Sequence, residues 1–154
     1  MTVSELLTHG RLHHVGIVVA DLDAAIATYQ ALGFGEADRF DIPAQGVRAA
    51  FFPLAQGSVE LIQPTDSEGA IGRFMAKRGE GFHHVAYQVD DLATTLVELA
   101  AAGIELIDFA PRVGGHGLWI AFIHPRACNG VLTELVQEPT SREVEESSSR
   151  EAKS

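Results

Sequence analysis

Residues 12–34 read LHHVGIVVADLDAAIATYQALGF, and residues 82–104 read FHHVAYQVDDLATTLVELAAAGI. At an offset of 70, His13-His14-Val15 falls on His83-His84-Val85, Asp21-Leu22 on Asp91-Leu92, and Gly33 on Gly103. A match of that kind along the whole stretch marks two copies of one supersecondary unit. Each copy opens with a period of two: His14, Gly16 and Val18 alternate with Val15, Ile17 and Val19, the pattern of a strand. A helix follows, with Asp21 as its N-cap, apolar positions at Leu22, Ile26 and Tyr29, and Gly33 in the left-handed position past its end. Asp91, Leu92, Leu96, Leu99 and Gly103 repeat that arrangement.

Outward from the repeat, three short strands are predicted after each helix. In the first copy they fall near 35–41, 47–54 and 58–63, with a tight turn at Ala55-Gln56-Gly57 between the last two. In the second they fall near 104–108, 118–124 and 131–137. The expected fold is α+β: two tandem βαβββ modules, 12–63 and 82–137, forming one domain over 12–137 with a half-open, cup-shaped mixed sheet. A linker helix over 67–79, capped by Ser67 and ended by Gly79, joins them, with Ile71, Phe74 and Met75 on its apolar face. From 138 to 154 the composition turns to Thr, Ser, Arg and Glu, which predicts a disordered tail.

The totals agree with one globular domain. The 154 residues are 46% hydrophobic, enough for a substantial core. A net charge of −10 argues against nucleic acid or an anionic membrane as the main partner. No apolar run is long enough to span a bilayer, and Met1 to His9 lacks a signal-peptide core, so a cytoplasmic chain is expected. The single cysteine, Cys128, excludes an internal disulfide and a thiolate-built zinc site, and reads as a passive small residue.

Strand parity indicates which side chains face the inside of the cup. With Val15, Ile17 and Val19 under the helix, His14 faces inward beside the small Gly16; His84 does the same beside Ala86. On the last strand of the first module Glu60 lies between Val59 and Leu61, a costly place for a carboxylate unless it is paired or holds a metal. Glu134 is its counterpart, offset by 74 rather than 70, so the intervening loops of the second module carry four extra residues. A pseudo-twofold axis would bring His14, Glu60, His84 and Glu134 to one point. Two imidazoles and two carboxylates suit a borderline divalent ion with open positions for water or substrate. His13 and His83 share the parity of the core set and read as structural residues or as supports behind the ligands.

A His–Glu pair on each module resembles the vicinal-oxygen-chelate superfamily of glyoxalases, extradiol dioxygenases and fosfomycin and bleomycin resistance proteins. Three stretches resemble more narrowly its methylmalonyl-CoA epimerases: Pro43-Ala44-Gln45-Gly46-Val47-Arg48, the run Lys77 to His84, and a C-terminal block of Gly115-His116-Gly117, Phe122-Ile123-His124-Pro125 and Gly130 to Leu135. The resemblance implies metal ligands His14, Glu60, His84 and Glu134, a divalent ion (cobalt foremost, then manganese, nickel or zinc), and a homodimer. It implies epimerisation at C2 of methylmalonyl-CoA by proton removal and return. Some members carry glutamate where this chain has Ala49 and glutamine where it has Glu60; here Glu60 and Glu134 are therefore expected to form the acid–base pair. His116, Gln45 and Arg48 are expected to contact substrate, and Arg48, Arg73, Lys77, Arg78 and Arg126 are candidate phosphate contacts. Competing readings are a glyoxalase I-like lactoylglutathione lyase, which uses the same ligand types, and a metal-free small-molecule-binding resistance protein, which has no need of two matching His–Glu pairs.

Overall fold

Both repeat copies fold as strand then helix: β1 (Arg11–Val18) with α1 (Leu22–Ala31), and β5 (Gly81–Gln88) with α3 (Leu92–Ala101). The computed structural model describes residues 5, 7–140 and 149. Asp21 and Asp91 cap the two helices by accepting from the backbone N–H of Ala24 and Thr94, each at 3.0 Å. Gly33 and Gly103 follow the helix ends at φ +99° and +78°, where a Cβ would be strained. A second pair of anchors was not foreseen. The Gln63 side chain accepts from Leu22 N–H and the Gln137 side chain from Leu92 N–H, both at 2.8 Å. Each helix start is thus tied to the strand that closes its own module.

The remaining strands are β2 (Asp38–Ile42), β3 (Val47–Pro53), β4 (Ser58–Pro64), β6 (Arg112–Val113), β7 (Trp119–Ile123) and β8 (Thr133–Gln137). All eight form one mixed sheet in the order β2-β3-β4-β1-β5-β8-β7-β6. β1 runs parallel to β4 and β5 parallel to β8, while the central pair β1–β5 is antiparallel, as two βαβββ modules joined edge to edge require. The sheet curls into a half-barrel. Across its mouth a turn at Gly115–Gly117 packs on β2, with the His116 ring 4.2 Å from that of Phe40. The helices cover the outer face. Under α1 lie Leu22, Ile26, Ala50, Phe52, Val59 and Leu61; under α3 lie Leu92, Leu96, Leu99, Ala121 and Leu135, with Cys128 packed beside them. Leu96 is 1% exposed, so its truncation to alanine would cost about 2–5 kcal/mol.

Three expectations need correction. No strand forms at 104–108; Leu106 makes one isolated bridge to Ile123, and β6 begins only at Arg112. The Asp108 carboxylate accepts the Phe122 N–H at 2.9 Å, so a side chain occupies what would be a ladder position, and Pro111 follows. The linker helix α2 spans Ala70–Arg78, and Gly69, not Ser67, stands at its N-cap without a side-chain bond. Gly79 ends it as expected, at φ +71°. The expected tail from 138 lies, after Thr140 and except for Ser149, outside the described residues; Glu138 itself sits 3.4 Å from the His13 ring.

Candidate metal centre

The cup brings the four inward residues together. β1 and β4 lie side by side with Gly16 opposite Glu60, β5 and β8 with Ala86 opposite Glu134, and β1 and β5 with Gly16 opposite His84. The result is a compact cluster. His14 Nε2 and His84 Nε2 are 2.9 Å apart. Glu134 Oε2 lies 3.0 Å from His84 Nε2 and 3.6 Å from His14 Nε2; Glu60 Oε2 lies 3.5 and 3.3 Å from the same atoms. All four residues are buried, between 2% and 8% exposed. The ligand atoms of His14, His84 and Glu134 form a set lying within 4.8 Å of one another; Glu60 reaches both imidazoles but stands outside that set.

These distances fit a shared cation. Donors about 2.1 Å from one ion lie about 3.0 Å apart at right angles and about 3.4 Å apart in a tetrahedron. Among the described residues the ion pairs of Glu60 and Glu134 are with His14 and His84. Without an ion the His14 imidazole takes part in neutralising these carboxylates. Burial lowers the His14 pKa, but hydrogen bonds and charge from Glu134 and Glu60 outweigh it and raise it to about 9. Burial pushes the Glu134 pKa up, but the two histidines pull it down to about 2. A divalent ion would replace that proton with charge held on the same four atoms.

The supports behind the ligands come from two β-bulges. On β1, Leu12 and His14 face consecutive residues Tyr87 and Ala86, leaving His13 as the extra residue; on β5, His84 and Phe82 face Gly16 and Ile17, leaving His83 extra. Each bulge turns its histidine from the core-side parity expected of it toward the ligand next in sequence. His13 Nδ1 is 2.7 Å from His14 Nδ1, and His83 Nδ1 is 2.9 Å from His84 Nδ1. Burial, then the adjacent His14, lowers the His13 pKa; burial, then the adjacent His84, lowers that of His83 to about 4. Neutral His13 and His83 can each accept the Nδ1–H of their ligand neighbour, which fixes the tautomer that offers Nε2 to an ion. Behind His13, Glu138 Oε1 lies 3.4 Å from Nε2; beside His83 stands the Phe74 ring, edge to face with ring centres 4.8 Å apart. Phe51 and Phe122 meet His14 and His84 edge to face, at 5.2 and 5.9 Å.

The remaining expected site residues separate. His116, at φ +57°, lies over Phe40 and Phe51 and so one ring away from His14. Arg48 shares the helix-facing side of β3 with Ala50 and Phe52 and pairs with Asp41 at 3.7 Å, so it turns away from the cluster. Gln45 ends a 3-10 turn whose Gly46 packs on Asp66. Ala49 is buried on the inner side of β3.

The glyoxalase/bleomycin resistance protein/dioxygenase superfamily profile matches residues 13–122, more than half the chain. The chain belongs to that superfamily. The matched stretch carries His14, Glu60 and His84, and Glu134 lies on a strand just past it. The uncharacterized protein YqjC of Bacillus subtilis is 38% identical over 128 residues, covering 82% of this chain and 91% of that protein. Ethylmalonyl-CoA/methylmalonyl-CoA epimerase of Cereibacter sphaeroides is 37% identical over 131 residues, covering 83% and 98%. Among solved members, a variant of Streptomyces coelicolor methylmalonyl-CoA epimerase in complex with 2-nitronate-propionyl-CoA superposes with a TM-score of 0.80 at 35% identity, covering 84% of this chain and 98% of that one.

Proposed function

We propose that this chain is a methylmalonyl-CoA epimerase, interconverting the (2R) and (2S) thioesters. The observation that carries the reading is the buried cluster of His14, His84, Glu60 and Glu134 at the floor of the cup. Relatives of matching length named as epimerases of such thioesters support it. The α-proton beside a thioester is weakly acidic and must be removed on one face and returned on the other. A bound divalent ion, cobalt foremost, would supply positive charge to the enolate oxygen. His14 and His84 would hold that ion. Glu134 and Glu60, which approach the imidazole pair from opposite modules, are the proposed proton carriers, and the half-barrel excludes bulk water. With alanine at position 49, β3 offers no acid–base group there, so the second role falls to Glu60. His116 is the proposed substrate contact at the mouth, and the working form is a cytoplasmic homodimer.

The test uses purified protein loaded with Co2+ and each methylmalonyl-CoA epimer, following epimerisation and solvent-deuterium exchange separately by NMR. Glu60→Gln and Glu134→Gln should each lower epimerisation by about 10²–10⁴-fold, and one of them should spare exchange on one epimer. Full epimerisation by Glu60→Gln would remove Glu60 from the acid–base pair. No exchange by the unmodified protein with either epimer would end the epimerase reading.

A further inference from the structure

Each module joins its two outermost strands by a 3-10 turn, and the two turns are held differently. Pro43–Gln45 lies between β2 and β3, and Gly115–Gly117 between β6 and β7. The first stays with its own module: just past β4, the Thr65 N–H donates to the Gly46 carbonyl at 2.7 Å. The second crosses the mouth to the opposite module. Its backbone bonds are internal, from Gly114 N–H to the Leu118 carbonyl at 2.8 Å and from Leu118 N–H to the Gly115 carbonyl at 3.2 Å. Among the described residues no hydrogen bond joins 114–118 to β2. Fit alone holds the turn there. A Cβ on Gly115 would lie 2.5 Å from the Phe40 ring and 3.1 Å from Ile42 Cδ1, and one on Gly114 2.9 Å from Ile120. The His116 ring centre lies 4.2 Å from that of Phe40 and 5.5 Å from that of Phe51.

With the turn in that place the cup is shut. The helices cover the outer face of the sheet, yet the inner side chains are buried as well. Val47, Ala49 and Ile62 of the first module and Leu118, Ile120 and Val136 of the second are all at most 9% exposed. Leu118, which ends the turn, packs with Ile120 and Val136 in one inner cluster. The four donors His14, Glu60, His84 and Glu134 are at most 8% exposed. Neither an ion nor a reacting carbon can reach them while every wall of the cup stays where it is.

We propose that residues 114–118 form a gate, carried by the second module and latched on Phe40 of the first, which lifts from β2 to admit a ligand to the cluster and recloses over it. Of the two turns this is the one that can move cheaply. Lifting it breaks ring and van der Waals contacts but no hydrogen bond, whereas moving the Pro43–Gln45 turn would break its bond to Thr65. Its backbone turns through two left-handed residues in succession, His116 at φ +57° and Gly117 at φ +68°. Gly114 and Gly115 let the closed turn sit flush on Ile120 and Phe40, where a side chain would prop it open. A gate of this kind keeps water from a reacting centre while it is shut. That the group admitted is the acyl end of a CoA thioester rests on the epimerase reading; the gate itself needs only the buried cluster.

The test follows Co2+ uptake, and its release to a chelator, by stopped-flow absorbance. It compares the unmodified protein with Gly115→Ala, whose Cβ cannot share the space of the Phe40 ring, and with Phe40→Ala, which removes the latch. A gate alters the path and not the end states, so both variants should speed uptake and release alike, by about tenfold or more, with the dissociation constant within about twofold. Unchanged rates in both variants would overturn the proposal, and so would a change in release alone, the mark of a residue that supports a ligand. In a Cys128→Ser background, Phe40→Cys/His116→Cys joined by a bifunctional thiol reagent should slow uptake and release together. If the alanine variants do not fold, this bridged pair decides: slowed uptake upholds the gate, and normal uptake removes it. Uptake by neither the unmodified protein nor Gly115→Ala would remove it as well. A protein that exchanges Co2+ through the gate but epimerises neither methylmalonyl-CoA epimer would end the epimerase reading and leave the gate standing.

Discussion

The His84 ring lies directly across Gly16: a Cβ built on Gly16 would sit 2.1 Å from His84 Cε1 and 2.4 Å from Nδ1. Gly16 is therefore required by close approach, not by its backbone angles. The equivalent residue beside His14 is Ala86, fully buried and carrying its Cβ without difficulty. The two halves of the centre are not interchangeable, and only one of them leans on a glycine. Gly16→Ala must push the His84 imidazole aside. Its affinity for Co2+ should fall by about 10–100-fold, the loss expected when a ligand is misoriented, while urea denaturation shows a folded protein. Titration with Co2+ against a chelator checks this, and an unchanged affinity would refute it.

His13 and His83 differ in what stands behind them, and removal should expose the difference. His13→Ala and His83→Ala should each weaken metal binding by about 10–100-fold through loss of the Nδ1 acceptor. Glu138→Gln should weaken it less, and only on the His14 side. Visible spectra of the Co2+ form should shift in both histidine variants, a readout that general loss of stability would not produce. Spectra identical to the unmodified protein would make the bulged histidines packing residues only.

Much of this centre could be read from one sequence because duplication and alternation act together. His14 and His84, Glu60 and Glu134 recur at equivalent strand positions, and a residue on the inner side of one copy is inward in the other. The same alternation puts Arg48 on the side of β3 that Ala50 and Phe52 share under α1. His13 and His83 are supports behind the ligands, as one of the two expected readings has it, but alternation puts them on the core side. Counting every second residue assumes a regular strand, and a bulge inserts one residue that breaks the count. The missing strand at 104–108 has a different cause: Asp108 competes for the Phe122 N–H with its side chain.

Metal uptake should depend on pH. With its pKa raised to about 9 in the metal-free cluster, His14 carries a proton across the neutral range, and that proton must leave before Nε2 can bind an ion. Glu134, held near 2, is already ionised and adds no dependence there. Apparent affinity should therefore rise as pH increases from 6 toward 9, by up to about tenfold per unit for a single released proton. Calorimetry in buffers of different ionisation enthalpy should count that proton directly. A flat affinity over this range would mean that His14 is neutral before the ion arrives.

The glutamine anchors should contribute to stability without touching chemistry. Gln137→Ala leaves the Leu92 N–H at the start of α3 without its acceptor, and Gln63→Ala does the same for Leu22 on α1. Each should cost about 1 kcal/mol in urea denaturation, the usual net value of such a bond, with metal affinity within twofold of the unmodified protein. A loss of metal affinity larger than the loss of stability would show that the anchors also position the carboxylates.

Those anchors bear on how such a chain can change length. Gln63 follows Glu60 by three residues on β4, and Gln137 follows Glu134 by three on β8. Fastening each glutamine to its helix start fixes where the carboxylate arrives, whatever path the chain takes in between. The histidines repeat at an offset of 70 and the glutamates at 74, so the second copy has absorbed four more residues without displacing its carboxylate. Insertions and deletions in the connections ahead of β4 and β8 are thus decoupled from the geometry of the ion. The mouth of the cup is free to be remodelled for new substrates while the centre keeps its shape.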